Sequence, residues 1–584
     1  SPLYTVEVYN PSTSLWASSF VTVVSGQARQ ITSEQATGPF SSYGIGVSGS
    51  NAPISFTTFG TSGIAKVRVK KTNAQSITSS EVYPKRSSKI RQPSIFTFGD
   101  ASTRGIEFTT YIGDKLYIEI DGNTSAPLCI FADPFKPAIP SGLTTYAGQN
   151  RATYSRESNL NLTSGTNSYN TVNWDVSANR FTSYPDSLYF PPGVHDLSAG
   201  LPLSSNTVVY IDANAYIKGG FDLVSGYDCR FLGRGLISAE MYPRQPFIES
   251  VKSDISDDAA GFYMPIGISV SSVSEQYPGA TSSEWPGAVV EGLVLANQAF
   301  YGTGRYACNS FDNCKHLSPY TFNSDGLKSS PKCQYSLYGV TNSMMLCGDD
   351  TMTPFTYLYR APSYYRNNFV GSFRSSVVAT YFGGGLINRA IIKDIDILNY
   401  SWSGSVTDAS KTPITGNALI NMFTDFEDGL TFDCGLGNVE ISNWDLHQGD
   451  GSAIYMGMYH IANQNYIYQT RDGSACGVVS GINITNINLN PSALNPPDSL
   501  ATSSAIYGLS AGPTPAQTAA GSPQSANRPM NITFTNFKIG SDTFLTDTNV
   551  DDFTLWYNPV SATLSVTDPD SASGAGSNIV FKTT

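Results

Sequence analysis

Two rhythms of apolar and polar residues divide the chain. Over roughly the first 180 residues, apolar and polar positions alternate with period two. Tyr4-Thr5-Val6-Glu7-Val8 does so, as do Val67 to Val69 and Leu116-Tyr117-Ile118-Glu119-Ile120, the last running into an Asp121-Gly122 turn. Short alternating strands separated by Gly, Pro and Asn predict an antiparallel β-sandwich. Prolines then punctuate Ala132-Asp133-Pro134-Phe135-Lys136-Pro137, and a stretch rich in Ser, Asn and Thr follows, from about residue 144 to 173. We read it as a connecting segment.

From about residue 183 short apolar strands recur, each followed by Gly, Asn or Asp. They cover residues 207–211, 229–237, 288–295, 390–398, 438–446, 481–489 and 531–539. Several share one frame, apolar-x-apolar-x-Asn-x-x-apolar. Val439-Glu440-Ile441-Ser442-Asn443-Trp444, Ile482-Asn483-Ile484-Thr485-Asn486-Ile487 and Ile532-Thr533-Phe534-Thr535-Asn536-Phe537 carry it. A stacked coil needs this frame, with aliphatics piled inward and Asn at the bends forming a ladder between coils. The expected fold class is therefore all-β: an N-terminal antiparallel β-sandwich with its connecting segment over 1–180, then a right-handed parallel β-helix over 181–584. Residues 491–529, rich in Pro, Ser, Ala, Thr and Gly, read as an exposed excursion.

Composition agrees with strands rather than helices, since only 14% of the 584 residues are charged. The formal net charge is −12, which repels phosphate backbones and anionic membranes. No nucleic acid and no membrane partner is expected, and a neutral ligand is favoured over a polyanion. No stretch approaches a transmembrane span. The basic run Lys66-Val67-Arg68-Val69-Lys70-Lys71 alternates as a solvated strand face.

The eight cysteines contain no Cys-x-x-Cys pair, and none of the four histidines has metal-ligand spacing. Neither a metal nor another cofactor is expected, and the histidines read as structural or exposed. Disulfides are expected outside the cytosol. The local candidates are Cys308 with Cys314 and Cys333 with Cys347. The chain opens at Ser1 with no apolar leader, as a mature secreted form would. Sequons stand at Asn123, Asn161, Asn399, Asn483 and Asn531. We expect an extracellular monomer able to carry N-glycans at those five positions.

Glycosidic hydrolysis needs one carboxylic acid to protonate the leaving oxygen and one carboxylate to activate water. Leu346-Cys347-Gly348-Asp349-Asp350-Thr351 supplies adjacent carboxylates just after an apolar strand. Thr321-Phe322-Asn323-Ser324-Asp325-Gly326 ends another segment in a single Asp about one coil earlier. The competing reading of Asp-Asp and Asp-Gly is an ordinary turn. Asp425, Glu427 and Asp428 read as a solvated turn, Asp254, Asp257 and Asp258 as a loop. Asp394 and Asp396, two apart in a strand, are expected on one outward face. Tyr381, Phe382 and Lys328 are candidate substrate-binding residues, the first two beside a Gly383-Gly384-Gly385 turn. No Gly-x-Ser-x-Gly elbow and no phosphate-binding Gly loop occurs.

These segments resemble glycoside hydrolase family 49, the dextranases and isopullulanase. The resemblance runs through Ile130-Phe131-Ala132-Asp133-Pro134-Phe135, Leu188-Tyr189-Phe190-Pro191-Pro192-Gly193-Val194 and Val209-Tyr210-Ile211-Asp212-Ala213-Asn214-Ala215-Tyr216-Ile217-Lys218-Gly219. It continues through Gly233-Arg234-Gly235-Leu236-Ile237-Ser238-Ala239-Glu240, Ser324-Asp325-Gly326 and Gly348-Asp349-Asp350. It covers about residues 1–400 and fades into generic coils. The resemblance implies an inverting endo-hydrolase of a neutral α-glucan, with dextran ahead of pullulan. It implies Asp349 as general acid, with Asp325 and Asp350 holding and activating the water. Two features depart from the family: a longer spacing from Asp325 to Asp349, and Thr353 where the family has Lys. A polygalacturonase would need Lys or Arg near the carboxylates, and neither its His-Gly motif nor an Arg-x-Lys motif after the Asp pair is present. A non-catalytic carbohydrate-binding β-helix is the alternative from a different class.

Overall fold

A computed structural model describes residues 3–26, 53–85, 96–99, 104–135, 144–145, 166–169, 172–175, 180–183, 187–204, 206–225, 229–240, 266–267, 287–298, 308–320, 324–327, 339–352, 363–373, 377–380, 386–387, 390–399, 420–422, 435–447, 454–457, 478–489, 506–510, 530–539 and 578–583. Every regular element among them is a strand. No helix is long and apolar enough to cross a membrane. The chain forms two compact units. One is Ser1–Ser324 with Asn342–Met344, and the other is Asp325–Thr341 with Met345–Thr584.

The first unit begins with two five-stranded sheets. In one, Tyr4–Asn10 pairs antiparallel with Leu15–Ser19 and Ile64–Lys71, and Ile64–Lys71 pairs with Gly105–Tyr111. Period-two alternation turns Val6, Val67, Val69 and Phe108 inward, where they meet Ile118, Leu128 and Ile130 of the other sheet. That second sheet is not wholly antiparallel. Asn123–Pro134 runs parallel to Ile54–Thr61, because the intervening chain crosses through the first sheet before returning. The basic run lies on the outer side of the first sheet, with Lys66 exposed. Arg68 is partly covered: it pairs with Glu107 at 2.8 Å and its guanidinium lies 3.8 Å from the Trp16 ring centroid.

From Thr144–Thr145 onward, apart from a three-stranded antiparallel sheet of Thr166–Tyr169, Val172–Asp175 and Arg180–Ser183, the first unit stacks parallel strands, two to a coil in its regular part. Leu188, Val209, Phe231, Val290 and Phe311 are register partners in succession and all are buried. The segments 229–237 and 288–295, continuous in the apolar pattern, each break in two at a glycine. Gly233 has φ +129° and Gly292 φ +83°, and a Cβ on Gly233 would come within 1.9 Å of the Ile211 carbonyl oxygen. Only glycine fits that bend.

The second unit continues the same architecture, so the chain is a sandwich followed by a parallel β-helix. Tyr365, Ile392, Ile441, Ile484, Phe534 and Phe581 follow one another in register. The Asn ladder forms as the frame requires. Asn443 donates to Asp394 at 2.9 Å, Asn486 to Asn443 at 3.0 Å and Asn536 to Asn486 at 3.0 Å. All four residues sit in the left-handed region, φ +50° to +59°, which Asn and Asp tolerate better than other non-glycine residues.

That left-handed step corrects one expectation. Asp394, at φ +58°, breaks the alternation, so Asp394 and Asp396 do not share an outward face. Asp394 joins the ladder, whereas Asp396 is buried beside His447, 3.5 Å away. Within residues 491–529, Ile506–Ser510 forms a strand paired with Ile454–Gly457. A second correction concerns cysteine. Cys314 and Cys347 are free thiols, so neither expected local disulfide forms. Cys314 instead lies 3.4 Å from the carbonyl oxygens of Val290 and Asp312. Among the sequons, Asn123 and Asn483 are exposed, and the Asn399 carboxamide oxygen is buried against Gly371. Asn161 lies outside the described residues.

Within the first unit a buried charge cluster ties the sandwich to the coils. Asp133, 1% exposed, ends a sandwich strand and pairs with Lys315, which is fully buried. Arg234 approaches the same carboxylate at 3.4 Å. A second tie runs from Asn297, whose Oδ1 accepts from the Gly26 N–H at 2.8 Å and the Ser25 hydroxyl at 3.0 Å. Removing one partner of a buried pair strands the other's charge. Asp133→Asn is therefore expected to cost about 3–5 kcal/mol, read as a lowered thermal midpoint.

Lys115 lies close to this cluster. Burial, reinforced by the Lys315 charge, pushes its ammonium down from 10.5 to about 7. Unfolded Lys115 keeps its proton up to its ordinary value, so between these limits the unfolded chain binds the extra proton. Raising the pH there favours folding. The thermal midpoint should climb between pH 7 and 8.5, and Lys115→Met should flatten the climb while raising the midpoint at pH 6.5.

Candidate active site

The carboxylates singled out in the sequence converge in the second unit. Asp325 and Gly326 lie in a short buried segment, and the next coil brings the strand Met344–Cys347, followed by Gly348, Asp349 and Asp350. The Gly326 N–H donates to the Asp350 carbonyl at 2.8 Å, so the Asp325 and Asp350 turns are joined backbone to backbone. Asp350 donates its own N–H to the Asp349 carboxylate at 3.0 Å, which orients that side chain. Met352 donates to Val377 at 2.8 Å and Phe373 to Cys347 at 2.9 Å, tying this coil to the next.

Glycine at 326 follows from this closeness. A Cβ there would lie 2.0 Å from the Thr351 carbonyl oxygen and 3.2 Å from the Cys347 sulfur. The contact is with backbone, which cannot rotate away. The sulfur of Cys347 fills the space beneath the two turns and is fully buried. Burial raises its thiol well above the ordinary value, and the charges of Asp325, Asp349 and Asp350 push it further up. One sulfur thus senses all three carboxylates. The residue read as a disulfide partner is instead a neutral spacer.

The carboxylates differ in access. Asp325 and Asp350 are 4% and 2% exposed, whereas Asp349 is half-buried. A reachable carboxyl can meet a bulky substrate, and two sheltered ones can hold a small molecule between them. Lys328, Tyr381, Phe382 and Thr353 lie outside the described residues, as do Asp425, Glu427, Asp428, Asp254, Asp257 and Asp258.

The histidines take no part in this cluster. His316 is fully buried, 3.1 Å from the Gln298 amide nitrogen, and burial pushes it down to about 3, so it is neutral at physiological pH. His195 contacts the Pro191 carbonyl at 2.7 Å. His460 lies outside the described residues. Among the described residues, no group of three or more His, Cys, Asp or Glu side chains is arranged to hold a metal.

No family profile and no curated protein matches the chain. Among solved structures, Dex49A from Penicillium minioluteum aligns over 99% of this chain and 94% of its own, at 16% identity and a TM-score of 0.55. That likeness shows a shared fold. A family 28 exopolygalacturonase from Yersinia enterocolitica aligns over 81% of this chain and 89% of its own, at 12% identity and a TM-score of 0.34. A hyperthermoactive exopolygalacturonase from Thermotoga maritima aligns over 63% and 82%, at 12% identity and a TM-score of 0.32. Neither of these two is similar enough to inform the site.

The contact at Gly326 is the sharpest local test of the geometry. Gly326→Ala must separate the Asp325 and Asp350 turns. A misplacement near 1 Å costs about 100-fold in rate, and a fall of that order is expected in any catalytic activity that depends on these carboxylates. Cys347→Ser, which keeps a small side chain, should cost far less.

Proposed function

We propose that this protein is a secreted endo-glycoside hydrolase that cleaves internal α-1,6 bonds of dextran with inversion. The observation that carries the reading is the joining of the Asp325 and Asp349–Asp350 turns by the 2.8 Å hydrogen bond from the Gly326 N–H to the Asp350 carbonyl, with Asp349 the most accessible of the three carboxylates. The family 49 resemblance read from the sequence supports it. So does the fold likeness to Dex49A, a dextranase. The five sequons support secretion.

In this reading Asp349, protonated, gives its proton to the glycosidic oxygen as the C1–O bond breaks. A water held by Asp325 and Asp350 attacks C1 from the opposite face and loses a proton to one of them. The products are a new non-reducing end and a hemiacetal of inverted configuration. Inversion requires acid and base roughly 6.5–9.5 Å apart, to admit the water. Crowded carboxylates also help to retain the acid's proton. A neutral, hydroxyl-rich substrate suits a chain with a net charge of −12.

Reducing-sugar release from dextran, pullulan and polygalacturonate, run side by side, tests the assignment. Dextran should be cleaved with a rapid fall in viscosity. Preferential release from pullulan would move the specificity to α-1,4 bonds, and no release from any of the three would leave a binding protein. Asp349→Asn should lower kcat by about 100- to 10,000-fold, the usual weight of general acid–base catalysis. Asp325→Asn and Asp350→Asn should lose comparable amounts, with KM changed little.

A further inference from the structure

A second polar arrangement lies in the first unit, outside the carboxylate cluster. Glu240 follows the strand Leu236–Ser238 by two residues. Its carboxylate accepts from the Tyr216 hydroxyl in a short hydrogen bond, from the Ser238 hydroxyl at 3.2 Å, and pairs with the Lys218 ammonium at 3.0 Å. Tyr216 and Lys218 sit two apart on Ala215–Ser225, hence on one face of the coil. The Lys218 ammonium lies 5.7 Å from the centroid of the Tyr216 ring.

Support comes from behind. Ser238 accepts from the Asn297 carboxamide at 2.8 Å, and Asn297 is buried and held by Ser25 and Gly26. The front stays open. The Lys218 and Glu240 side chains are 35% and 29% exposed. On the preceding rung, Val194 is register partner of Tyr216 and Asp196 of Lys218, and Val194 is 66% exposed. An exposed valine beside a tyrosine ring gives an apolar floor. The Lys218 ammonium and the Glu240 carboxylate flank it, with Asp196 beside Lys218 on the preceding rung.

A pyranose has the matching character: a C–H face that packs on apolar surface and a rim of hydroxyls that both donate and accept. A carboxylate fixed by three donors is a preorganised acceptor for that rim, and the ammonium is its donor. We propose that Val194, Tyr216, Lys218 and Glu240 form a binding site for glucosyl units of a neutral glucan, separate from the residues assigned to bond cleavage. The choice of ligand rests on the α-glucan hydrolase reading.

Native electrophoresis through gels containing linear dextran measures binding apart from turnover. The full chain carrying Asp349→Asn is the reference, and Tyr216→Ala, Glu240→Gln and Lys218→Met are added to it singly. Tyr216→Phe keeps the ring and loses only the hydroxyl, so it reports on the site even if Tyr216→Ala fails to fold. We expect the dextran concentration for half-maximal retardation to rise about tenfold for Tyr216→Ala and Glu240→Gln, and less for Tyr216→Phe. Retardation equal to the reference in all folded variants would overturn the site, while dextran cleavage by the wild-type chain would leave the hydrolase reading standing. If the wild-type chain cleaves no glucan, that reading fails, and the choice of ligand fails with it.

Discussion

The in-register stacking of parallel coils is the constraint on which the rest depends. Each strand from Ser187–Phe190 to Asn578–Lys582 takes its inward side chains from a column of register partners. A slip of one residue would turn a whole column outward. The register is secured where the chain bends. Glycines at 233 and 292 and left-handed Asn or Asp at 394, 443, 486 and 536 adopt backbone angles that larger side chains resist. The Asn ladder then links coils through side chains, at about 1 kcal/mol net per hydrogen bond. Two carboxylate-bearing turns apart in sequence are then joined, the Gly326 N–H donating to the Asp350 carbonyl.

Charge is handled in two opposite ways. In the first unit Asp133, Lys315 and Arg234 are sealed from water, where pairing offsets desolvation and leaves little freedom. This arrangement attaches the sandwich to the coils. At the candidate active site the carboxylates crowd together over a neutral thiol, and one of them stays accessible. Like charges held close are unfavourable for folding. A fold tolerates them most readily where they serve chemistry, and a proton kept on one of them relieves the repulsion. The polar site on Ala215–Ser225 lies between these extremes, with Lys218 and Glu240 paired and partly exposed.

Much of the fold was legible because its signals are local. Period two in Tyr4–Asn10, the Asn frame in Gly435–Leu446 and its repeat in Val478–Leu489 lead directly to sandwich and β-helix, and the fold likeness to Dex49A agrees with the resemblance read from the sequence. The clustering of Asp325 with Asp349 and Asp350 was legible from a spacing of about one coil. What escaped depends on tertiary context. Cys314 and Cys347 looked like disulfide partners by proximity in sequence, but the coils bury each thiol singly. Asp394 and Asp396 looked alike until a left-handed step separated their fates. The Glu240 arrangement joins residues of two segments more than twenty residues apart, and the sequence pattern does not show that their side chains meet.

The central claim is that three carboxylates direct a single displacement by water at the anomeric carbon. The anomeric form of the first product tests it most directly. Proton NMR during early dextran hydrolysis, before mutarotation, should show the β-anomer of the newly formed reducing end, the inverted product of an α-bond. An initial α-anomer would mean a double displacement through a covalent intermediate, and would contradict the assignment of Asp325 and Asp350 to a water.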